Sequence, residues 1–341
     1  MIPRTPTKRM CIDIGHKCNI NCMHCYHKHE PNRDARPFKI KQDILLEVEH
    51  GYYRGNDYID FTGGETTICS DLPAIIQEAS LKFDMKSCII TNALCGMNTL
   101  DHFIAAGTDD FLISLHGMEK NNDAFMQRPG ARGQQIKFIE HLLANGKSFR
   151  ANYCITSFNQ GDLLDFADWI ITFKNCKIVN FINFNPHHGW SKDDEGTKAI
   201  IADLSKVEIA LNQVIPIIEA AGIGVNLRYY PMCRVDEKYR RCVCNDLHVT
   251  FDPYEWDYEI DPKTPEKHLE WGIGASNRIE MKEHACGKCR LQWVCGGVNR
   301  AFYRAAGKDC VNAISEEIAE PFNNYFYRRN NTMTLKDPRQ S

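Results

Sequence analysis

Three cysteines fall within eight residues, in the run Cys18-Asn-Ile-Asn-Cys22-Met-His-Cys25-Tyr26. A tight loop with this spacing can aim three thiolates at one point. Three soft ligands suit an iron–sulfur cluster. A cubane 4Fe–4S cluster has four irons, so three cysteines leave one iron open. An open iron can bind a substrate or cofactor rather than merely pass electrons. Structural zinc is the competing chemistry. It needs four protein ligands, and His16, His24 or His27 could supply the fourth.

A second group lies in the last third. Cys286-Gly-Lys-Cys289 is followed after five residues by Cys295 and after fourteen more by Cys310. Four thiolates satisfy one cubane cluster and leave no open iron. Such a cluster is an electron relay or a structural anchor. A zinc ribbon would carry Cys-x2-Cys twice, and this spacing fits it poorly.

The elements that must carry these residues can be read from the pattern between them. Candidate strands are residues 9–15, 58–62, 87–92, 110–116, 151–157 and 178–185. They are short, apolar or β-branched, and separated by helix-length segments such as 41–53, 72–83, 135–145 and 163–173. Six βα units in series imply a parallel sheet with helices outside it. The fold class expected is α/β, a partial (β/α)6 TIM-like barrel with a small C-terminal iron–sulfur domain. Functional groups then belong in the loops at the strand C-terminal ends, where the three-cysteine loop already stands. The second strand closes on Gly63-Gly64-Glu65, two glycines that permit close backbone approach and a carboxylate. Thr91-Asn92, Ser114-Leu-His116 and Asn183-Phe-Asn185 close strands three, four and six. An amphipathic helix over 202–221 and a strand over 225–230 mark the passage to a C-terminal unit. Ile314, Ile318, Phe322 and Phe326 space a docking helix ahead of a disordered tail. The domain reading is 1–222, 223–320 and 321–341.

Composition bounds the function. The 341 residues carry a formal net charge of −3 and are 43% hydrophobic, ordinary for a globular protein. Near-neutral charge leaves no footprint for nucleic acid. No apolar run approaches the ~20 residues of a membrane helix. Met1 to Arg9 are followed by no apolar h-region, so no secretory signal is expected. Sixteen cysteines without an export signal point to metal ligation rather than disulfides, in a reducing cytoplasm.

The Cys18-x3-Cys22-x2-Cys25 run, just after the apolar Met10–Ile14 stretch, resembles the signature of the radical S-adenosylmethionine (radical SAM) enzymes. Gly63-Gly64-Glu65 at the next strand end resembles that family's second motif. The resemblance implies that Cys18, Cys22 and Cys25 hold a catalytic 4Fe–4S cluster. Its open iron would chelate S-adenosylmethionine, whose reduction releases a 5′-deoxyadenosyl radical. Gly63, Gly64 and Glu65 would receive the methionyl ammonium, with Asn92, Ser114 and Asn183 as further cofactor contacts. Many relatives read Ser-Leu-Asp-Gly where this chain has His116. The cysteines from Cys286 resemble the SPASM/twitch extension and imply an auxiliary 4Fe–4S cluster on Cys286, Cys289, Cys295 and Cys310. That extension has a further cysteine where this chain has Asn299. Whether Cys233, Cys242 and Cys244 hold a second auxiliary cluster therefore stays open. Cys154 on strand five is a candidate hydrogen-atom donor.

The resemblance implies a radical enzyme of oxidoreductase or epimerase type, fed by an electron donor such as flavodoxin or ferredoxin. Only seventeen residues precede Cys18, too few for the leader-binding domain that peptide-modifying relatives often carry. This favours a small-molecule substrate, a sugar, aminocyclitol or natural product. Peptide or protein modification is the alternative, and a non-catalytic iron–sulfur scaffold the remote one.

Overall fold

The computed structural model describes residues 9–27, 37–53, 55–186, 188–244, 280–281, 284–292 and 295–316. Strands and helices alternate: β1 (Arg9–Asp13), α1 (Lys41–Tyr53), β2 (Tyr58–Thr62), α2 (Leu72–Phe83), β3 (Lys86–Thr91), α3 (Met97–Ala105) and β4 (Asp110–Ser114). Two helices follow, α4 (Glu119–Met126) and α5 (Ala131–Ala144), then β5 (Ser148–Ile155), α6 (Leu163–Ile170) and β6 (Cys176–Asn183). The chain continues through α7 (Asp194–Ile200), α8 (Leu204–Ala220), β7 (Gly224–Arg228) and β8 (Val243–Cys244). These eight strands form one parallel sheet in sequence order. The sheet curls into an open half-barrel with helices outside, as the pattern predicts. The strand expected to open the C-terminal unit, β7, instead pairs with β6 and extends the barrel. Beyond it, β9 (Glu280–Met281) and β10 (Val298–Asn299) pair antiparallel, and α9 (Arg300–Ala306) follows. Most of the expected docking helix, including Ile318, Phe322 and Phe326, lies outside the described residues, as does the tail.

Side-chain alternation gives the sheet two different faces. Ile12, Phe61, Ile89, Ile113, Tyr153, Phe181 and Leu227 join Ile75, Phe138, Phe166 and Val214 of the helices in one buried core. The opposite, concave face mixes a small apolar cluster of Tyr58, Cys88 and Leu112 with buried polar groups. At its floor the Asp60 carboxylate takes Arg9 at 2.8 and 2.9 Å and Arg150 at 2.8 Å, while Arg150 holds Asp110 at 2.6 Å. The Arg9 guanidinium lies 3.7 Å over the Tyr58 ring. Burial alone would raise the Asp60 pKa, but the two arginines hold it below the usual carboxylate range.

Above the floor, register aligns Ser114 with Asn152, Asn152 with Asn180, and Asn180 with Asn226. The three carboxamides form a ladder: Asn226 Nδ2 donates to Asn180 Oδ1 and Asn180 Nδ2 to Asn152 Oδ1, each at 2.8 Å.

Candidate active site

The cysteine loop leaves the C-terminal end of β1 and is held by its neighbours. Ile14 N–H donates to Thr62 C=O at 2.9 Å, Gly64 N–H to Gly15 C=O at 2.8 Å and Glu65 N–H to Lys17 C=O at 2.9 Å. The β1–β2 pairing thus runs on into the loop. Two glycines are needed because the backbones touch. A Cβ on Gly63 would collide with the Gly15 carbonyl, and one on Gly64 with the carbonyls of His16 and Lys17. Gly63 also sits at φ +144, a conformation L side chains rarely adopt. The close approach expected of these glycines is toward the cysteine loop itself.

Glu65 is 1% exposed. Its Oε1 accepts from Thr67 N–H (3.1 Å), Thr67 Oγ1 (2.6 Å) and Thr91 Oγ1 (2.6 Å), and its Oε2 from Asn92 N–H (2.8 Å). Burial pushes its pKa up, against the pull of these donors. Four donors from its own chain make Glu65 a brace between the ends of β2 and β3. Asn92 passes the brace on, donating from Nδ2 to Asn19 Oδ1 inside the cysteine loop at 2.8 Å. Gln135, fully buried on α5, donates to the carbonyls of Asn92 (2.9 Å) and Ser114 (2.7 Å). These contacts fix the ends of strands two to four as one rim.

The far side of the loop packs on His116 and on two residues the sequence did not single out, Phe125 and Trp190. Met23 N–H donates to Phe125 C=O at 2.9 Å, and the His24 ring stacks on Phe125 with centroids 4.4 Å apart. His116 meets His24 edge-on at 4.5 Å. Burial pushes His24 down to about 3 and His116 well below the ordinary histidine range, so both rings are neutral. His116 Nδ1 accepts from Cys154 N–H at 3.1 Å. The departure from Asp at 116 thus places a neutral ring where a carboxylate would face His24. Trp190 Nε1 donates to Cys25 C=O at 2.9 Å, tying the loop to the segment after β6. Cys18, Cys22 and Cys25 are all half-buried on this braced loop.

A profile of the radical SAM superfamily matches residues 12–170, the stretch from β1 to α6. This stretch of the chain is a radical SAM domain. Curated relatives agree. A probable GTP 3',8-cyclase of Sulfolobus acidocaldarius is 24% identical over 71% of this chain and 77% of its own length. One of Methanococcus aeolicus is 28% identical over 59% of this chain and 65% of its own. Solved structures share the fold. Streptococcus suis SuiB bound to S-adenosylmethionine gives a TM-score of 0.61 at 17% identity, covering 93% of this chain and 78% of SuiB. Native anSMEcpe with bound AdoMet gives 0.57 at 13%, covering 97% of this chain and 98% of that one.

The family implies a 4Fe–4S cluster and S-adenosylmethionine, and the radical SAM domain here has groups that fit both. Three half-buried thiols on one braced loop are a soft donor set short of a full tetrahedron. Asn183 at the end of β6 is 2% exposed; its Nδ2 donates to Tyr229 C=O at 3.2 Å, while its buried Oδ1 has no partner among the described residues. Such an orphaned acceptor suits a bound donor. Ser114 is half-buried beside Asn152 on the concave face. Cys154 shares that face but packs with Phe184, Trp190 and Ile200, and burial pushes its thiol up to about 12.

Beyond the barrel, a cavity of about 20 Å3 is walled by Cys233, Cys286, Cys289 and Cys295. Cys310 is not among its walls; it is buried in the main core with Leu291 and Phe302. Burial pushes Cys233 up to about 12, opposed by the Asn312 amide and reinforced by Cys295, Cys289 and Cys286. Cys242 lies elsewhere, 3.8 Å from Glu219 Oε1. Cys244 ends β8, and its side chain lies outside the described residues. Asn299 caps α9, its Oδ1 accepting from Ala301 and Phe302 N–H at 2.8 and 3.2 Å. Sequence reasoning missed Trp190, Gln135 and the asparagine ladder. For Asn152, Asn180 and Asn226 a signal existed, since a polar residue inside an apolar strand needs a reason.

Proposed function

We propose that this radical SAM protein is an enzyme that abstracts hydrogen from a C–H bond of a small, hydroxyl-rich molecule held on the concave face of the barrel. The observation that carries the reading is the polar row Ser114, Asn152, Asn180 and Asn226. A serine hydroxyl and a carboxamide ladder offer donors and acceptors to hydroxyl or ring-nitrogen groups. The similarity to proteins named GTP 3',8-cyclase, whose named substrate is a nucleotide, supports a small polar substrate.

When bound, the cluster and S-adenosylmethionine supply a carbon-centred radical; the protein orients and shields it. In this reading Cys18, Cys22 and Cys25 hold the cluster. The backbone of Gly63 and Gly64 and the side chains of Asn92, Ser114 and Asn183 line the cofactor. Glu65 acts at least by positioning: its carboxylate takes Thr67, Thr91 and Asn92 and so braces the ends of β2 and β3, while Oε2, with one donor, keeps acceptor capacity for the cofactor's ammonium. Trp190 and Phe184 pack with Cys154 and Ile200 in a small apolar cluster, which in this reading keeps water from the reacting atoms. Peptide modification is the second reading. A SuiB structure bound to its precursor peptide shares this fold at a TM-score of 0.61 and 16% identity, which favours it only at the level of architecture.

The test is substrate-dependent turnover. Anaerobically reconstituted protein is given S-adenosylmethionine, dithionite and panels of nucleosides, aminocyclitols, sugars and peptides. The proposal expects one of the small molecules to raise 5′-deoxyadenosine output, and its deuterated form to pass deuterium into that product. Deuterium transfer from a peptide alone would overturn the small-molecule assignment.

A further inference from the structure

Four cysteines from two distant parts of the chain wall one cavity. Cys233 stands in the turn just after β7, and Cys286, Cys289 and Cys295 lie more than fifty residues on. Backbone amides aim at three of the four sulfurs. Met232 and Gly297 N–H donate to Cys295 Sγ, both at 3.4 Å. Asn312 N–H donates to Cys233 Sγ at 3.2 Å and Ile314 N–H to Cys289 Sγ at 3.3 Å. A neutral thiol accepts such bonds weakly and a thiolate strongly. Amides converging on sulfurs around a shared void are the environment of metal-bound thiolates.

Four sulfurs without a histidine select zinc or an iron–sulfur cluster. The sulfurs wall one common void of about 20 Å3, which either group would fill. Cys310, the fourth ligand that the sequence pattern implies, is buried in the same core as Cys289 and near Cys286 but does not line the void, whereas Cys233 does.

We propose that Cys233, Cys286, Cys289 and Cys295 hold a second 4Fe–4S cluster, with Cys233 and not Cys310 as the fourth ligand. The four thiols bind as thiolates, each giving its proton to solvent, and cluster assembly supplies the iron and sulfide. The consequence is mechanical as well as electronic. Cys233 follows the last full strand of the barrel, so the cluster staples Cys286, Cys289 and Cys295 to the sheet's end. All four irons are then taken, and the cluster carries electrons or holds structure rather than binding substrate. The choice of iron over zinc rests on the radical SAM reading; the ligand set does not.

The test uses the full chain, reconstituted anaerobically, as wild type, Cys233→Ala, Cys233→Ser and Cys310→Ala. Iron, sulfide and zinc are counted and the dithionite-reduced EPR spectra compared. Wild type is expected to hold about eight irons. Cys310→Ala should keep them and both signals. Cys233→Ala should lose about four irons or shift the second signal, and Cys233→Ser, nearly isosteric, should shift that signal with the iron retained. In each, the first cluster's response to S-adenosylmethionine reports an intact barrel. Loss of the second signal in Cys310→Ala but not in the Cys233 variants would overturn the proposal, as would zinc in place of four irons in the wild type. Failure of the radical SAM reading looks different: no signal would respond to S-adenosylmethionine in any variant.

Discussion

Gly64 shows how a residue can serve a metal site without touching it. Its missing Cβ lets the turn after β2 lie against the carbonyls of His16 and Lys17 at the base of the cysteine loop. Gly64→Ala is therefore expected to leave the helix and strand content intact, because β2 and α2 flank the clash rather than contain it. The cysteine loop must shift instead, and iron bound at Cys18, Cys22 and Cys25 should fall at least several-fold on reconstitution. Far-UV circular dichroism with iron analysis checks both halves. The motif was legible in the sequence, but the reason for it was not. Gly-Gly-Glu announces close approach and a carboxylate, and only coordinates show that the approach is to the chain's own backbone and that the carboxylate also braces Thr67, Thr91 and Asn92. Asn299 teaches the same lesson. Its type signals a missing cysteine, while its place before α9 makes it a helix cap.

At the scale of elements, the strands supply two chemistries from one alternation. The outer face was readable as apolar residues at every second position, and the boundaries of α1 and α2 follow directly from the periodic pattern. The inner face was harder, because Arg9, Asp60, Asp110 and Arg150 sit 50 or more residues apart in most pairings and meet only when the sheet curls. That network gives the floor of the barrel its sharpest prediction. Asp60→Ala leaves Arg9 and Arg150 buried without their shared partner, and removal of one member of a buried pair costs about 3–5 kcal/mol. Urea titration should show a loss of that size; a change under 1 kcal/mol would mean the arginines find other partners. The sheet that β7 joins was hidden for a related reason. Nothing in Gly224–Arg228 itself says which sheet it joins; the pairing with β6 is a tertiary choice.

Across the whole molecule, buried histidines couple folding to pH. His24 and His116 are held neutral by burial, His24 down to about 3 and His116 well below its ordinary value of 6.5. The unfolded chain binds protons at these sites from about pH 6.5 downward, and the folded chain does not. Stability is therefore full above pH 6.5 and falls as pH drops below it, by at most about 1.4 kcal/mol per pH unit for each ring. Glu47 opposes this: burial raises it to about 7, so its contribution is lost as pH rises from about 4.5 to 7. His116→Gln, which keeps an acceptor for Cys154 N–H, should flatten the acid limb of a stability-versus-pH curve measured on metal-free protein. An unchanged slope would place the proton uptake elsewhere.

The central claim is that one braced loop holds a cluster that cleaves S-adenosylmethionine. It is tested most directly by 5′-deoxyadenosine formation under dithionite, measured for wild type and for the Cys18→Ala/Cys22→Ala/Cys25→Ala triple variant alongside iron content. The account predicts cleavage by the wild type, and in the variant the loss of about four irons together with all cleavage. Cleavage that survives the three substitutions, or its absence from an iron-loaded wild type, would contradict it.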